Sequence, residues 1–160
     1  MHLTKNNPLI TIIIPVYNAE KLIAGCIESV IQQNVGYWNL ILVNDGSSDK
    51  SGEICQVYAQ QDSRIIVIYQ SNGGPGKARN TGINACKTQW FTFVDADDKL
   101  SPTYLANFHV ENCKNETILS CQGLRRVDLQ GSQLGEEYSF SDTVYARESK
   151  IDPTTHTLTI

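Results

Sequence analysis

The chain has 160 residues, 41% of them hydrophobic and 19% charged. That excludes a disordered chain and predicts one domain-sized core with a radius of roughly 15 Å. Thirteen basic against 17 acidic residues leave a net charge of −4. This argues against a general nucleic-acid binder but leaves room for local anion binding by two cations and a metal.

The acid excess sits mostly in the last third, net −3 over residues 101–160 against −1 over 1–100. The cysteines, Cys26, Cys55, Cys86, Cys113 and Cys121, are odd in number and form no CxxC pair. They read as reduced thiols of a cytosolic protein, mostly core filler. No targeting segment is predicted, and the apolar run Leu9–Tyr17 is too short to span a bilayer.

In chain order, Leu9–Val16 is a continuous, largely β-branched run, as in a strand buried on both faces. Asn18 is placed to cap a helix carrying Leu22, Ile23, Cys26, Ile27, Val30 and Ile31 at helical spacing. Trp38–Val43 is a second strand, ending in Asn44-Asp45-Gly46. Ser47, Ser48 or Asp49 can cap a helix burying Ile54, Cys55, Val57 and Tyr58. Arg64–Tyr69 is a third strand, followed by the glycine-rich 71–76 and a small-residue helix from Lys77 to Cys86. Trp90–Val94 is a fourth strand that runs into Asp95-Ala96-Asp97-Asp98. Ser101-Pro102 predicts a helix start, burying Tyr104, Leu105 and Phe108. Residues 117–124 suit a fifth strand and 156–160 a terminal one.

Strands alternating with helices predict an α/β fold: an α/β/α sandwich with a mostly parallel, Rossmann-like central sheet. Ligands of such sheets sit beyond the carboxyl ends of the strands, near a switch in strand order. Tyr17 and Asn18, Asp45, the glycine loop and Asp95–Asp98 all follow strand ends, which predicts a nucleotide-sized site on that rim. Residues 1–128 read as the binding core and 129–160 as a weakly patterned tail or the start of an acceptor-side region.

The acidic cluster carries the sharpest chemistry. At ~5 Å and an effective dielectric of ~20, each like-charge pair costs about 3 kcal/mol. A divalent cation removes that cost, and oxygen ligands suit Mg2+ or Mn2+ completed by phosphates. The alternative is a solvated turn with a capping aspartate. Residues 73–80 supply glycine N–H groups, a helix start, Lys77 and Arg79, as an anion site would; the alternative is a solvated helix start. They are no Walker A loop, because Ala78 stands where Ser or Thr should bind magnesium. No GxGxxG turn follows the first strand, which excludes the dinucleotide reading. Lys77 and Arg79, two apart, do not share a helix face. Asp45 is placed to accept a ring N–H such as that of uracil, or to act as a turn residue or cap.

Pro15-Val16-Tyr17-Asn18, Asn44-Asp45-Gly46-Ser47-Ser48-Asp49, Ala78-Arg79-Asn80-Thr81-Gly82 and Asp95-Ala96-Asp97-Asp98 occur in this order, and over residues 8–125 the sequence resembles the family 2 glycosyltransferases of the GT-A fold. The resemblance implies an inverting, metal-dependent transferase moving a sugar from a nucleoside diphosphate-sugar, most often a UDP-sugar, to the hydroxyl of a carbohydrate or lipid-linked acceptor. It implies that Pro15, Tyr17 and Asn18 line the nucleoside pocket and that Asp45 reads the uracil. Lys77 and Arg79 would flank base or diphosphate. Asp95 and Ala96 would approach the ribose, and Asp97 would hold Mn2+ or Mg2+, with Asp95 and Asp98 as further candidate ligands. An envelope or capsule polysaccharide role, at the inner face of the membrane or in the cytoplasm, is the family-level expectation.

The pattern departs at the general base, which the family draws from an acidic pair well downstream. Glu136, Glu137, Asp142 and Asp152 have no matching context, so no catalytic base is assigned. The chain therefore reads as the donor-binding half, with self-association through uncovered surface expected. Two other functions compete. One is a non-catalytic nucleotide-sugar binding module. The other is a phosphoryl-transfer enzyme with an aspartate nucleophile, which would want its acidic pair after the first strand.

Overall fold

The computed structural model describes residues 8–108, 118–119 and 144–145. The chain falls into two compact units, Met1–Glu111 and Asn112–Ile160. In the first, the order is β1 (Ile10–Val16), α1 (Ile23–Ile31), β2 (Trp38–Asp45), α2 (Ser51–Gln61), β3 (Ile65–Gln70), α3 (Pro75–Ala85) and β4 (Trp90–Phe93), followed by a 3-10 turn at Leu105–Phe108. In the second, β5 (Ile118–Leu119) pairs antiparallel with β6 (Val144–Tyr145). The rest of the fifth strand expected over 117–124 and the terminal strand at 156–160 lie outside the described residues.

The four strands of the first unit form a parallel sheet in the order β3-β2-β1-β4. The chain winds outward from β1 through β2 to β3, then returns to place β4 on the other side of β1. The strand order therefore switches between β1 and β4, where an open α/β sheet leaves a crevice at its carboxyl edge.

Alternation along β1 explains its continuous apolar run. Ile12, Ile14 and Val16 pack on one face with Ile23, Cys26, Ile27 and Val30 of α1 and Cys55 of α2. Ile13 faces the other way, with Ile41, Val43 and Ala78 of α3. Leu22 just before α1, Ile31 at its end and Val57 in the middle of α2 are expected inside but are exposed.

α3 lies close to the sheet because of Gly82. A Cβ there would stand 2.3 Å from Ile13 Cγ2. Ile13 is β-branched and held inside a strand, so it cannot swing aside. Gly82→Ala is expected to cost about 1–2 kcal/mol of stability, overpacking outweighing the gain in helix propensity. A lowered urea midpoint checks this; an unchanged or raised midpoint would mean that α3 moves freely on the sheet.

Three local expectations change. Asn18 does not cap α1: Leu22 and Ile23 donate to Ala19 O, and the Asn18 side chain is engaged elsewhere. α3 starts at Pro75 rather than Lys77, with proline at a position whose missing N–H costs nothing. Pro102 does not open an α-helix. The Leu105 N–H, which such a helix would send to Ser101 O, instead donates to Gln33 Oε1 at 2.9 Å.

Candidate functional site

Three loops meet at the carboxyl edge of β1, β2 and β4, and reciprocal side-chain bonds tie the first two together. Asn18 takes φ +48°, in the left-handed region. Its backbone N–H donates to Ser47 Oγ at 3.1 Å, and its Oδ1 accepts from the Ser48 N–H at 2.9 Å. Ala19 N donates to Ser51 Oγ at 2.8 Å. Glu20 N donates to Asp49 Oδ2 at 3.0 Å, while Glu20 Oε2 accepts from Lys50 N at 3.2 Å. Asp49 Oδ1 also accepts from the Ser51 backbone and hydroxyl. Of the three residues expected to cap α2, Asp49 thus binds its first turn, whereas Ser47 and Ser48 clamp the β1 loop. Tyr17, half-exposed, projects from this clamped loop beside Pro15, a part-buried residue of β1.

Asp45 ends β2 with only 2% of its surface exposed. Its Oδ1 accepts from Gln70 Nε2 at 2.6 Å and Gly73 N at 2.9 Å, and its Oδ2 accepts from Gly74 N at 2.8 Å. Burial alone would raise its pKa. The bonds from Gln70, Gly73 and Gly74 and the charge of Lys77 outweigh burial and hold the carboxyl below its ordinary range. Gln70 is itself oriented by Thr81, whose hydroxyl donates to Gln70 Oε1 at 2.5 Å. The glycine loop is therefore wrapped on a buried carboxylate. Gly46 permits the approach: it has φ +71°, and a Cβ there would meet Asn72 N at 2.8 Å. A carboxylate offers about four acceptor sites, so Asp45 keeps one, on Oδ2.

The Ala78–Gly82 motif divides its work by helix face. Ala78 is buried against the sheet, Thr81 fixes Gln70 and Gly82 clears Ile13. Arg79 pairs with Asp95 at 2.5 Å and lies 5.8 Å from the Phe93 ring centroid. Lys77 folds the other way, over Gly73 toward Asp45. The two cations indeed serve different faces.

The acidic turn follows β4. Val94 N still donates to Ile13 O, and Asp98 N closes the turn on Asp95 O at 3.0 Å. Ala96 is part-buried against the core, while Asp95, Asp97 and Asp98 are exposed. Partial burial, then the charges of Asp97 and Asp95, push the Asp98 carboxyl above its ordinary range. Cys26 lies beneath, its thiol donating to Asp95 O at 3.4 Å. Burial, then the charges of Asp98, Asp97 and Asp95, raise it to about 12, and burial also raises Cys55 to about 12. Neither thiol is a nucleophile near neutral pH.

Among the described residues, no three His, Cys, Asp or Glu side chains converge on a metal position. The donors nonetheless fit a hard cation of the magnesium type, which takes one or two carboxylates and fills its shell from phosphate and water. Asp97 and Asp95 would supply those carboxylates, Asp95 by exchanging its bond to Arg79.

A cleft of about 440 Å3 adjoins the clamped loops, lined by Asn44, Ser47, Asp49, Gly52, Val57 and Tyr69 between α2 and β3. None of Tyr17, Asp45, Arg79 or the acidic turn lines it. The chemistry-bearing groups follow the carboxyl ends of β1, β2, β3 and β4, and the candidate site is assigned to that edge. Gln70 and Ser51 escaped the sequence reading, as did the bonds that Ser47, Ser48 and Thr81 make. The serines showed only as short polar residues after Asp45, Thr81 only as a position of the Ala78–Gly82 motif, and Gln70 gave no signal.

The chain was compared with known proteins. The model of the family "Glycosyl transferase family 2" matches residues 11–157. The uncharacterized glycosyltransferase EpsJ of Bacillus subtilis is 45% identical over 115 residues, covering 71% of this chain and 33% of that protein. S. aureus TarS 1-349 in complex with UDP-GlcNAc superposes with a TM-score of 0.60 at 28% identity, over 64% of this chain and 30% of its own. The mannosyltransferase PcManGT of Pyrobaculum calidifontis superposes at 0.64 over 79% of this chain and 38% of its own, at 20% identity, a likeness of fold. The chain spans a third or less of the first curated relatives it matches. Among the described residues no helix is long and apolar enough to cross a membrane.

Proposed function

The chain belongs to glycosyl transferase family 2, with the GT-A fold, and on that premise we propose that residues 8–108 bind a UDP-sugar donor, with a divalent cation, for inverting transfer to an acceptor hydroxyl. The observation that carries the reading is the ion pair from Arg79 to Asp95 at the β1/β4 switch. It brings a cation and the acidic turn together where a diphosphate would bring its own charge.

Asp45 supports uracil over guanine. One acceptor site matches the single N3–H of uracil, whereas the guanine edge presents both N1–H and an amino group. The likeness to a TarS structure holding UDP-GlcNAc supports the same choice. Tyr17 and Asn18 would wall the nucleoside, on a loop that Ser47 and Ser48 keep rigid. Asp97 and Asp95 would hold Mn2+ or Mg2+, which when bound neutralises the diphosphate that leaves. Arg79, released from Asp95, would turn its guanidinium to the same phosphates.

The acceptor's proton needs a base, and the described carboxylates beyond the acidic turn are mostly committed. Asp45, Asp49 and Glu20 accept backbone bonds, Glu28 accepts from Tyr58, and Asp62 pairs with Arg64. Glu136, Glu137, Asp142 and Asp152 lie outside the described residues.

Calorimetric titration with UDP, GDP and CDP, each in manganese and in EDTA, tests it. Binding of UDP in manganese, weakened by EDTA and not matched by GDP, is expected. Preference for GDP, or equal binding in EDTA, would contradict the assignment of Asp45 or of the acidic turn respectively.

A further inference from the structure

α1 and the turn that follows it carry three polar side chains where an amphipathic helix would place apolar ones. Cys26 and Ser29, three apart on α1, share a face, and Gln33 follows just beyond its C-terminal end. All three are buried; Cys26 has no exposed surface, and Ser29 and Gln33 expose 8% each. A buried hydroxyl or amide is costly unless bonded, so what these groups bond to reveals their use.

Each reaches the segment that contains and follows the acidic turn. Cys26 Sγ donates to Asp95 O at 3.4 Å. Ser29 Oγ accepts from Leu100 N at 3.0 Å while donating to Cys26 O at 2.7 Å. Gln33 Nε2 donates to Ser101 O at 2.7 Å and to Ser29 O at 3.1 Å, and Gln33 Oε1 accepts from Leu105 N. Asn34 N adds a bond to Pro102 O at 3.0 Å. Residues 94–104 contain no helix or strand of their own. Beyond Val94, which donates to Ile13 O of β1, this path is held from outside by α1 and the residues just after it, at Asp95, Leu100, Ser101 and Pro102, and at Leu105 where the path ends.

We propose that Ser29 and Gln33 are positioning residues for the acidic turn, setting where Asp95 and Asp97 present their carboxylates to the metal–diphosphate. The inference rests on the donor-site reading above and deepens it. Neither side chain touches ligand; each acts through the backbone that carries the ligands, as outer partners of a metal site do. The nucleoside end is held by a different network, through Asn18, Ser47, Asp45 and Gln70, and does not depend on this stripe.

That separation supplies the test. Wild type, Ser29→Ala, Gln33→Met and Ser29→Thr are titrated with manganese–UDP by calorimetry and with uridine alone by amide chemical shifts, melting temperatures being recorded in parallel. Ser29→Ala and Gln33→Met are expected to weaken manganese–UDP binding roughly ten-fold while uridine binds as in wild type. Ser29→Thr, which keeps a hydroxyl able to accept from the Leu100 N–H, is expected to restore binding. Unchanged manganese–UDP affinity in Ser29→Ala, or equal weakening for uridine, would overturn the inference by showing a merely structural role. Ser29→Ala serves if Gln33→Met fails to fold. A folded wild type that binds no manganese–UDP removes the donor-site reading, and the inference falls with it; that failure is distinguishable because it appears before any substitution.

Discussion

Asp97→Ala is expected to abolish manganese-dependent UDP binding, a loss beyond the roughly 100-fold reached by changing outer partners of a metal site. Asp97 is exposed on a turn whose position is fixed by backbone bonds and by the part-buried Ala96. Removing its carboxylate therefore leaves the fold alone. It also removes one of the like charges that raise Asp98, so melting temperature is expected to hold steady or rise slightly. Calorimetry in manganese and a thermal melt of the same sample check both halves. Retained metal-dependent binding would move the cation elsewhere, and a large fall in melting temperature would make Asp97 a structural residue.

Asp45→Ala is expected to act on both stability and binding. It deletes the acceptor of Gln70, Gly73 and Gly74, and the glycine loop loses its anchor. Gly73 is exposed, so water recovers part of the lost bonding. A net cost of about 3 kcal/mol, seen as a fall of roughly 10 °C in melting temperature, is expected. Uridine binding should vanish with it.

The pH dependence has a definite sign. A carboxyl whose folded pKa is depressed stabilises the fold above its unfolded value and loses that contribution as pH falls through the folded value. The unfolded value is near the ordinary 3.8 and the folded one lies below it. The stability gap between wild type and Asp45→Ala should therefore be constant from neutral pH down to about 4 and shrink below that. A gap that widens on acidification would mean that Asp45 is protonated in the folded chain.

The alternation of strands and helices and the parallel sheet were legible because they depend on patterns the sequence displays directly. Leu9–Val16 and Trp38–Val43 are apolar runs too long and too β-branched for a half-exposed strand, and each ends in a polar motif. What could not be read is where polar side chains send their bonds. Asn18 looked like a cap, yet its Oδ1 meets Ser48, thirty residues away. Ser101-Pro102 looked like a helix start, and local propensity favours one. Gln33 captures the Leu105 N–H first, because a buried amide must find partners and the turn offers them. Asp45 was legible as important but not as the anchor of the glycine loop, since Gln70 carries no motif and Thr81 showed only as one position of the Ala78–Gly82 motif. Side-chain networks that join loops distant in sequence were the part of the site hidden from pattern reading.

The most direct test of the donor site is an amide spectrum of the folded chain titrated with UDP, then with a trace of Mn2+. Shifts at Tyr17–Ala19 and Asp45–Gly46, and paramagnetic broadening centred on Asp95–Lys99 that appears only with UDP present, are expected. Shifts confined to Gly52–Val57 and Tyr69, along the cleft between α2 and β3, or broadening away from the acidic turn, would contradict the account.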